Sequence, residues 1–134
     1  MSELIVENVS FAYGKENIIE DIRLELHDHE LVSLLGASGG GKTTLFHVIS
    51  GLSKPQKGRV LLDGEDITGQ PGHVSYMLQK DLLLPYRTIE DNVALPMEIR
   101  CMKKKEARKK AGEFFEEFGL EGTQKKYPRQ LSGG

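Results

Sequence analysis

Gly36-Ala37-Ser38-Gly39-Gly40-Gly41-Lys42-Thr43 fits the pattern G-x-x-x-x-G-K-[ST], a glycine-rich turn that opens a helix and cradles phosphate groups. A triphosphate needs many donors at close range. Glycine lets backbone N–H groups face inward, a lysine at this spacing reaches the β and γ phosphates, and the following hydroxyl faces Mg2+. The flanks agree with the pattern: Leu31-Val32-Ser33-Leu34-Leu35 reads as a buried strand and Thr44-Leu45-Phe46-His47-Val48-Ile49 as a helix. The helix N-terminus adds partial positive charge where phosphates would sit. The stretch therefore nominates Gly36, Ala37, Ser38, Gly39, Gly40, Gly41, Lys42, Thr43 and Thr44 for nucleotide binding, with Thr43 also a candidate metal ligand.

The 134 residues, with average charged and apolar fractions, indicate a soluble globular domain. A net charge of −2 argues against a nucleic-acid partner, which needs a basic face. No stretch approaches the ~18 apolar residues of a membrane span. The acidic start Met1-Ser2-Glu3 lacks the basic region of a signal peptide, so the expected location is the cytosol. Cys101 is the single cysteine, and the histidines at 27, 29, 47 and 73 are scattered without zinc spacing.

Upstream of the loop, Leu4 to Phe11 reads as a strand closed by a turn at Tyr13 to Asn17, and Ile22 to His27 alternates like a strand with one wet face. Two antiparallel strands are expected there. Tyr13 is either an aromatic placed to stack on a nucleotide base or an ordinary strand-end tyrosine; its spacing leaves both open. Downstream, Gly51 and Pro55 stop the helix, and Gly58 to Asp63-Gly64 is a strand running into a hairpin turn. Asp63 imitates a strand-end magnesium carboxylate, but the hairpin explains the segment better. His73 to Leu78 reads as another short strand ending on Gln79, which either faces a metal ion and attacking water or is simply solvated.

From Pro85 the character becomes helical. Thr88-Ile89-Glu90-Asp91 has a helix-start pattern, and Lys103 to Phe118 carries a long charged helix ended by Gly119. Its basic run, Lys103, Lys104, Lys105, Arg108, Lys109 and Lys110, is interleaved with or followed by glutamates and reads as a solvated face. There is no internal repeat.

Tyr13, the glycine loop, Gln79 and the final Leu131-Ser132-Gly133-Gly134 stand in the order and spacing of the ATP-binding subunits of ABC transporters, which this chain resembles over its whole length. A small kinase or GTPase would leave the last four residues a coincidence, and no guanine-reading motif is found. The resemblance implies an α/β fold: a P-loop NTPase core of the ABC ATPase type with an antiparallel β subdomain and the start of a helical subdomain. Residues 1–79 would form the nucleotide-binding part and 80–134 the Q-loop and helical part. It further implies ATP and Mg2+ as cofactors, with Tyr13 on adenine, Gln79 in the Q-loop and on the metal, and Ser132, Gly133 and Gly134 in the signature motif that touches a second copy's γ-phosphate. Implied partners are that second subunit, a membrane permease at the inner face of the cell membrane and, indirectly, a solute-binding protein.

Gln79 to Thr88, with Asp91-Asn92-Val93 and Pro96, is similar to importers of the nitrate, sulfonate and taurine type. The family's C-terminal half is missing from these residues. Absent are a strand-end Asp for Mg2+, the adjacent Glu that activates water and a later switch histidine. The sequence therefore reads as a truncated or partial subunit, either an ATPase when complete or a fragment that binds nucleotide without hydrolysing it.

Overall fold

Alternating apolar and polar side chains near the N-terminus produce a long hairpin in the computed structural model, which describes residues 2–132. Strand β1 spans Glu3–Tyr13 and β2 spans Glu16–His27, antiparallel as the alternation predicts. The hairpin belongs to the first of two compact units, Met1–Met77 and Leu78–Gly134.

In the first unit β3, Lys57–Leu62, pairs with the other side of β1, and the short β4, Glu65–Asp66, folds back on β3. The strand order is β2-β1-β3-β4. The expected turn forms between β3 and β4, with Asp63 and Gly64 at φ of 51° and 82°, as a two-residue I′ connection requires. One helix, α1, Lys42–Ile49, supplies Leu45, Val48 and Ile49 to a core shared with Val6, Val9 and Val60 of the sheet. A crease crosses three strands at one level. Asn8, Asp21 and Gly58 all have positive φ, and the registers of β1 shift beside Asn8.

Two expected strands do not form. Residues 31–35 and 73–78 have no sheet partner. Leu31 and Leu35 are 93% and 95% exposed, which corrects the reading of a buried strand; Leu34 alone in that stretch packs against the core. The cause is the nature of a strand: its N–H and C=O groups need neighbours on either side, and the described sheet offers none to these segments. The second segment is held by side chains instead. Val74 packs against the core, and the Tyr76 ring lies 6.2 Å from Phe46 and 5.7 Å from His47 of α1.

The second unit contains α2, Ile89–Ile99, and α3, Lys104–Glu117. The predicted start of α2 is found: the Thr88 hydroxyl accepts from the Asp91 N–H at 3.2 Å. Ala94 of α2 and Ala107 and Ala111 of α3 are fully buried together, so small side chains let the two helices approach. Gly119, at φ 66°, follows the end of α3 as expected. Of the basic run the lysines are exposed, in line with a solvated face, whereas Arg108 is committed elsewhere. Its guanidinium grips the Asp91 carboxylate through two hydrogen bonds of 2.7 and 3.0 Å, tying α3 to the start of α2.

The Arg108 hydrogen bonds hold the Asp91 carboxyl below the usual aspartate range. A group whose pKa is depressed by folding stabilises the fold above its unfolded value of about 3.9, and that contribution disappears as pH falls through the lower folded value. Thermal unfolding followed by helical circular dichroism should therefore lose stability more steeply below about pH 4 in the native chain than in Arg108→Met. Identical acid limbs in the two proteins would show that the pair contributes nothing.

Candidate nucleotide site

The glycine loop takes its shape from two sets of backbone contacts. The Gly40 N–H donates to the Ala37 carbonyl at 3.0 Å and closes a turn. Lys42 then folds back over Gly36, its ammonium donating to the carbonyls of Gly36 at 2.6 Å and Ala37 at 2.7 Å. A cation is thus held at the mouth of the loop by two neutral acceptors.

Helix α1 begins on Gly41, at φ 84° and without a side-chain cap. Its first internal bond runs from the Leu45 N–H to the Gly41 carbonyl at 2.9 Å. The N–H groups of Lys42, Thr43 and Thr44 accordingly have no acceptor within the helix. No acidic residue occupies the first turn, so nothing local competes for the positive end of the helix. An ammonium and a row of free N–H groups form a donor set suited to a multiply charged anion.

Gly41 also fixes where the loop sits. A Cβ there would stand 2.5 Å from the Ile19 methyl and 3.0 Å from the Ile18 carbonyl, so the loop rests directly on β2. Thr44 is buried beneath the helix start and Thr43 is exposed. An exposed first-turn hydroxyl fits a magnesium ion, which takes oxygen ligands, retains waters and shares phosphate oxygens. Among the described residues no group of three His, Cys, Asp or Glu side chains converges on a metal position.

Tyr13 ends β1 and is 55% exposed. The ring meets Phe11 edge-on, centroids 4.8 Å apart and planes at 79°. Phe11 in turn pairs with Ile19, the residue under Gly41, so Tyr13, Phe11, Ile19 and the loop form one continuous series. Asp63 lies at the opposite end of the sheet. Its carboxylate accepts from the Glu3 N–H at 2.7 Å, while its own N–H donates to the Glu3 carbonyl at 2.8 Å. From Glu3 to Phe11 along β1 is roughly 25 Å at the usual strand rise. Asp63 therefore closes a hairpin and has no access to the loop.

Gln79 and Ser132 belong to the second unit, both exposed; Gln79 is in a bend and not at the end of a paired strand. Gly133 and Gly134 lie outside the described residues. Two polar side chains hold backbone groups in ways the sequence does not announce. Gln56 bonds both backbone groups of Ala12 at 2.9 Å. Asn92 accepts from the Leu84 N–H at 2.7 Å and donates to carbonyls of the same loop, fixing the stretch that leads into α2. An amide in a loop or first helical turn is the only sequence signal for either.

A family model described as ABC transporter matches residues 19–134. The chain belongs to this family. It is 44% identical over 132 residues to the formylaminopyrimidine import ATP-binding protein ThiZ of Halalkalibacterium halodurans, a match covering 98% of this chain and 51% of that one. It is 40% identical to the Fe(3+) ions import ATP-binding protein FbpC of Agrobacterium fabrum, covering 98% of this chain and 38% of the relative. Among solved structures, the ATP-binding cassette MJ0796, dimeric in a post-hydrolysis state with ADP and phosphate, superposes with a TM-score of 0.80 at 29% identity, covering 96% of this chain and 63% of that one. The expected fold is borne out: an ABC ATPase fold of the P-loop type with an antiparallel sheet and helices. The chain spans about half the length of curated relatives that it matches, 51% of one and 53% of another.

If the seat of Gly41 on β2 shapes the loop, Gly41→Ala should destabilise the first unit by more than the ~1–2 kcal/mol cost of a left-handed alanine, because it also strikes Ile19. Gly39→Ala, at φ 79° with open space around it, should cost only that conformational amount. Urea midpoints of the two variants make the comparison; equal losses would remove the steric part of the account.

Proposed function

We propose that the chain is the nucleotide-holding part of the ATP-binding subunit of an ABC importer. The observation that carries this is an uncapped helix start whose first residue, Lys42, holds its ammonium 2.6 and 2.7 Å from two loop carbonyls that a phosphate oxygen can outcompete for it. In this reading residues 36–44 bind the ATP phosphates, the Thr43 hydroxyl faces Mg2+ and the Tyr13 ring stacks on adenine. Gln79 links the site to the permease. Ser132 and Gly133 of one copy meet the γ-phosphate held by a second copy. The division at residues 79 and 80 then separates phosphate binding from the helical part.

The whole protein would hydrolyse ATP and couple it to solute movement through a membrane permease supplied by a solute-binding protein. It would sit at the cytoplasmic face of the membrane. No described helix is long and apolar enough to cross a membrane, which suits a peripheral subunit. The stretch from Gln79 to Pro96 supports a cargo of the nitrate, sulfonate or taurine type. The names of similar importers, formylaminopyrimidine and ferric ion among them, keep other solutes in play.

Binding and hydrolysis separate in residues 1–134. Phosphoryl transfer to water needs a positioned nucleophile and neutralised developing charge. The loop supplies donors for charge, but Asp63, the carboxylate that the sequence offered, is committed to the Glu3 end of the sheet. The chain alone should bind MgATP with no turnover. Lys42→Ala should weaken binding by roughly tenfold to a hundredfold, the value of a charge-assisted contact. Titration calorimetry beside a phosphate-release assay tests both points. Unchanged binding in Lys42→Ala would remove the loop from the site, and lysine-dependent turnover would mean that a carboxylate within these residues acts as base.

A further inference from the structure

Strand β1 outlasts its partner on one side. The ladder between β1 and β3 ends at Ser10 and Lys57, with the Gln56 N–H still donating to the Ser10 carbonyl at 3.1 Å. Two residues further on, Ala12 has no backbone partner on that side. The Gln56 side chain takes the place of one: its amide oxygen accepts from the Ala12 N–H and its amide nitrogen donates to the Ala12 carbonyl, both at 2.9 Å. A glutamine amide has the donor and acceptor of a peptide group, so this pair extends the sheet by one rung without a further strand.

The next residue is Tyr13. Fixing both backbone groups of Ala12 fixes the direction in which the following Cα–Cβ bond leaves the strand, and Phe11 braces the ring from one side at 4.8 Å. On the other strand, Ala12 pairs with Asn17 and Tyr13 with Glu16, so β1 is held from both sides at this level only while Gln56 is in place. Gln56 is itself anchored. It follows buried Pro55 in the segment that leaves the C-terminal end of α1, the helix that the glycine loop opens. One stretch of chain, residues 36–56, therefore carries the phosphate donors at one end and the clasp on the ring-bearing strand at the other.

We infer that Gln56 is a positioning residue for Tyr13, setting the ring at a fixed distance from the phosphate loop so that base and phosphates are read together. This rests on the reading of Tyr13 as the base-stacking residue. Gln56 touches no nucleotide in this account; its effect passes through the Ala12 backbone. It follows that losing the clasp should penalise a ligand with a base and spare one without.

The test is a double-mutant cycle read with two ligands, MgATP and magnesium tripolyphosphate, on the full 134-residue chain. Gln56→Ala should weaken MgATP by about threefold to tenfold, the loss expected for a pair of neutral hydrogen bonds, and leave tripolyphosphate affinity unchanged. Unchanged tripolyphosphate binding also reports that the variant is folded. Gln56→Glu, which keeps one acceptor but sets a carboxylate against the Ala12 carbonyl, should fall in the same direction. With Tyr13 already replaced by alanine, removing Gln56 should have no further effect. If Tyr13→Ala alone leaves MgATP affinity intact, the stacking reading fails and the inference with it. If Tyr13→Ala weakens MgATP but Gln56→Ala adds to it independently, or harms both ligands equally, stacking stands and the positioning role is overturned.

Discussion

A helix that starts on a glycine in the left-handed conformation, without a side-chain cap, leaves its first N–H groups free, and this constraint organises the first unit. Gly41 adopts that conformation while pressed against Ile18 and Ile19, a seat too close for any side chain. The consequence is a fixed row of open donors on a rigid backing. Lys42 folds back from the same helix start, its ammonium held by the carbonyls of Gly36 and Ala37. A donor set suited to a polyphosphate thus comes from backbone geometry and one ammonium group.

The sheet serves that arrangement at its β2 edge and at its far end does something unrelated. Where β1 runs past Ile19 it carries Phe11, whose ring meets that of Tyr13. Where it begins, Glu3 and Asp63 exchange hydrogen bonds that pin β1 to the β3–β4 turn. The two ends do not share chemistry because an extended strand of this length keeps them roughly 25 Å apart. Within the second unit the same economy holds: close alanine packing brings α2 and α3 together, and one guanidinium fastens them.

Short-range signals were the legible ones. The hairpin of β1 and β2, the Asp63-Gly64 turn, the Thr88 cap and the ends of α1 and α3 all follow from residues within a few positions of each other. The glycine turn and the start of α1 on Gly41 were legible for the same reason. Residues 31–35 were misread because apolarity marks a strand built for burial on both faces, whereas a strand exists only when another lies beside it, and its neighbours are not in this sheet. The roles of Gln56 and Asn92 were invisible because their partners are backbone groups, which no side-chain pattern announces. Arg108 was absorbed into a run of solvated cations, though its spacing from Asp91 becomes meaningful once two helices pack. The nature of Tyr13, open from spacing, gained a context through Phe11 and Ile19.

The central claim is that the free N–H groups at the start of α1, together with Lys42, are the seat of the polyphosphate. Amide chemical shifts of isotope-labelled chain during titration with MgATP read those groups directly. The account predicts that the largest saturable changes fall on the amides of residues 39–44, with the Lys42 side chain leaving the Gly36 and Ala37 carbonyls as the ligand binds. Saturable binding that leaves those amides unmoved, with the changes centred elsewhere, would contradict it.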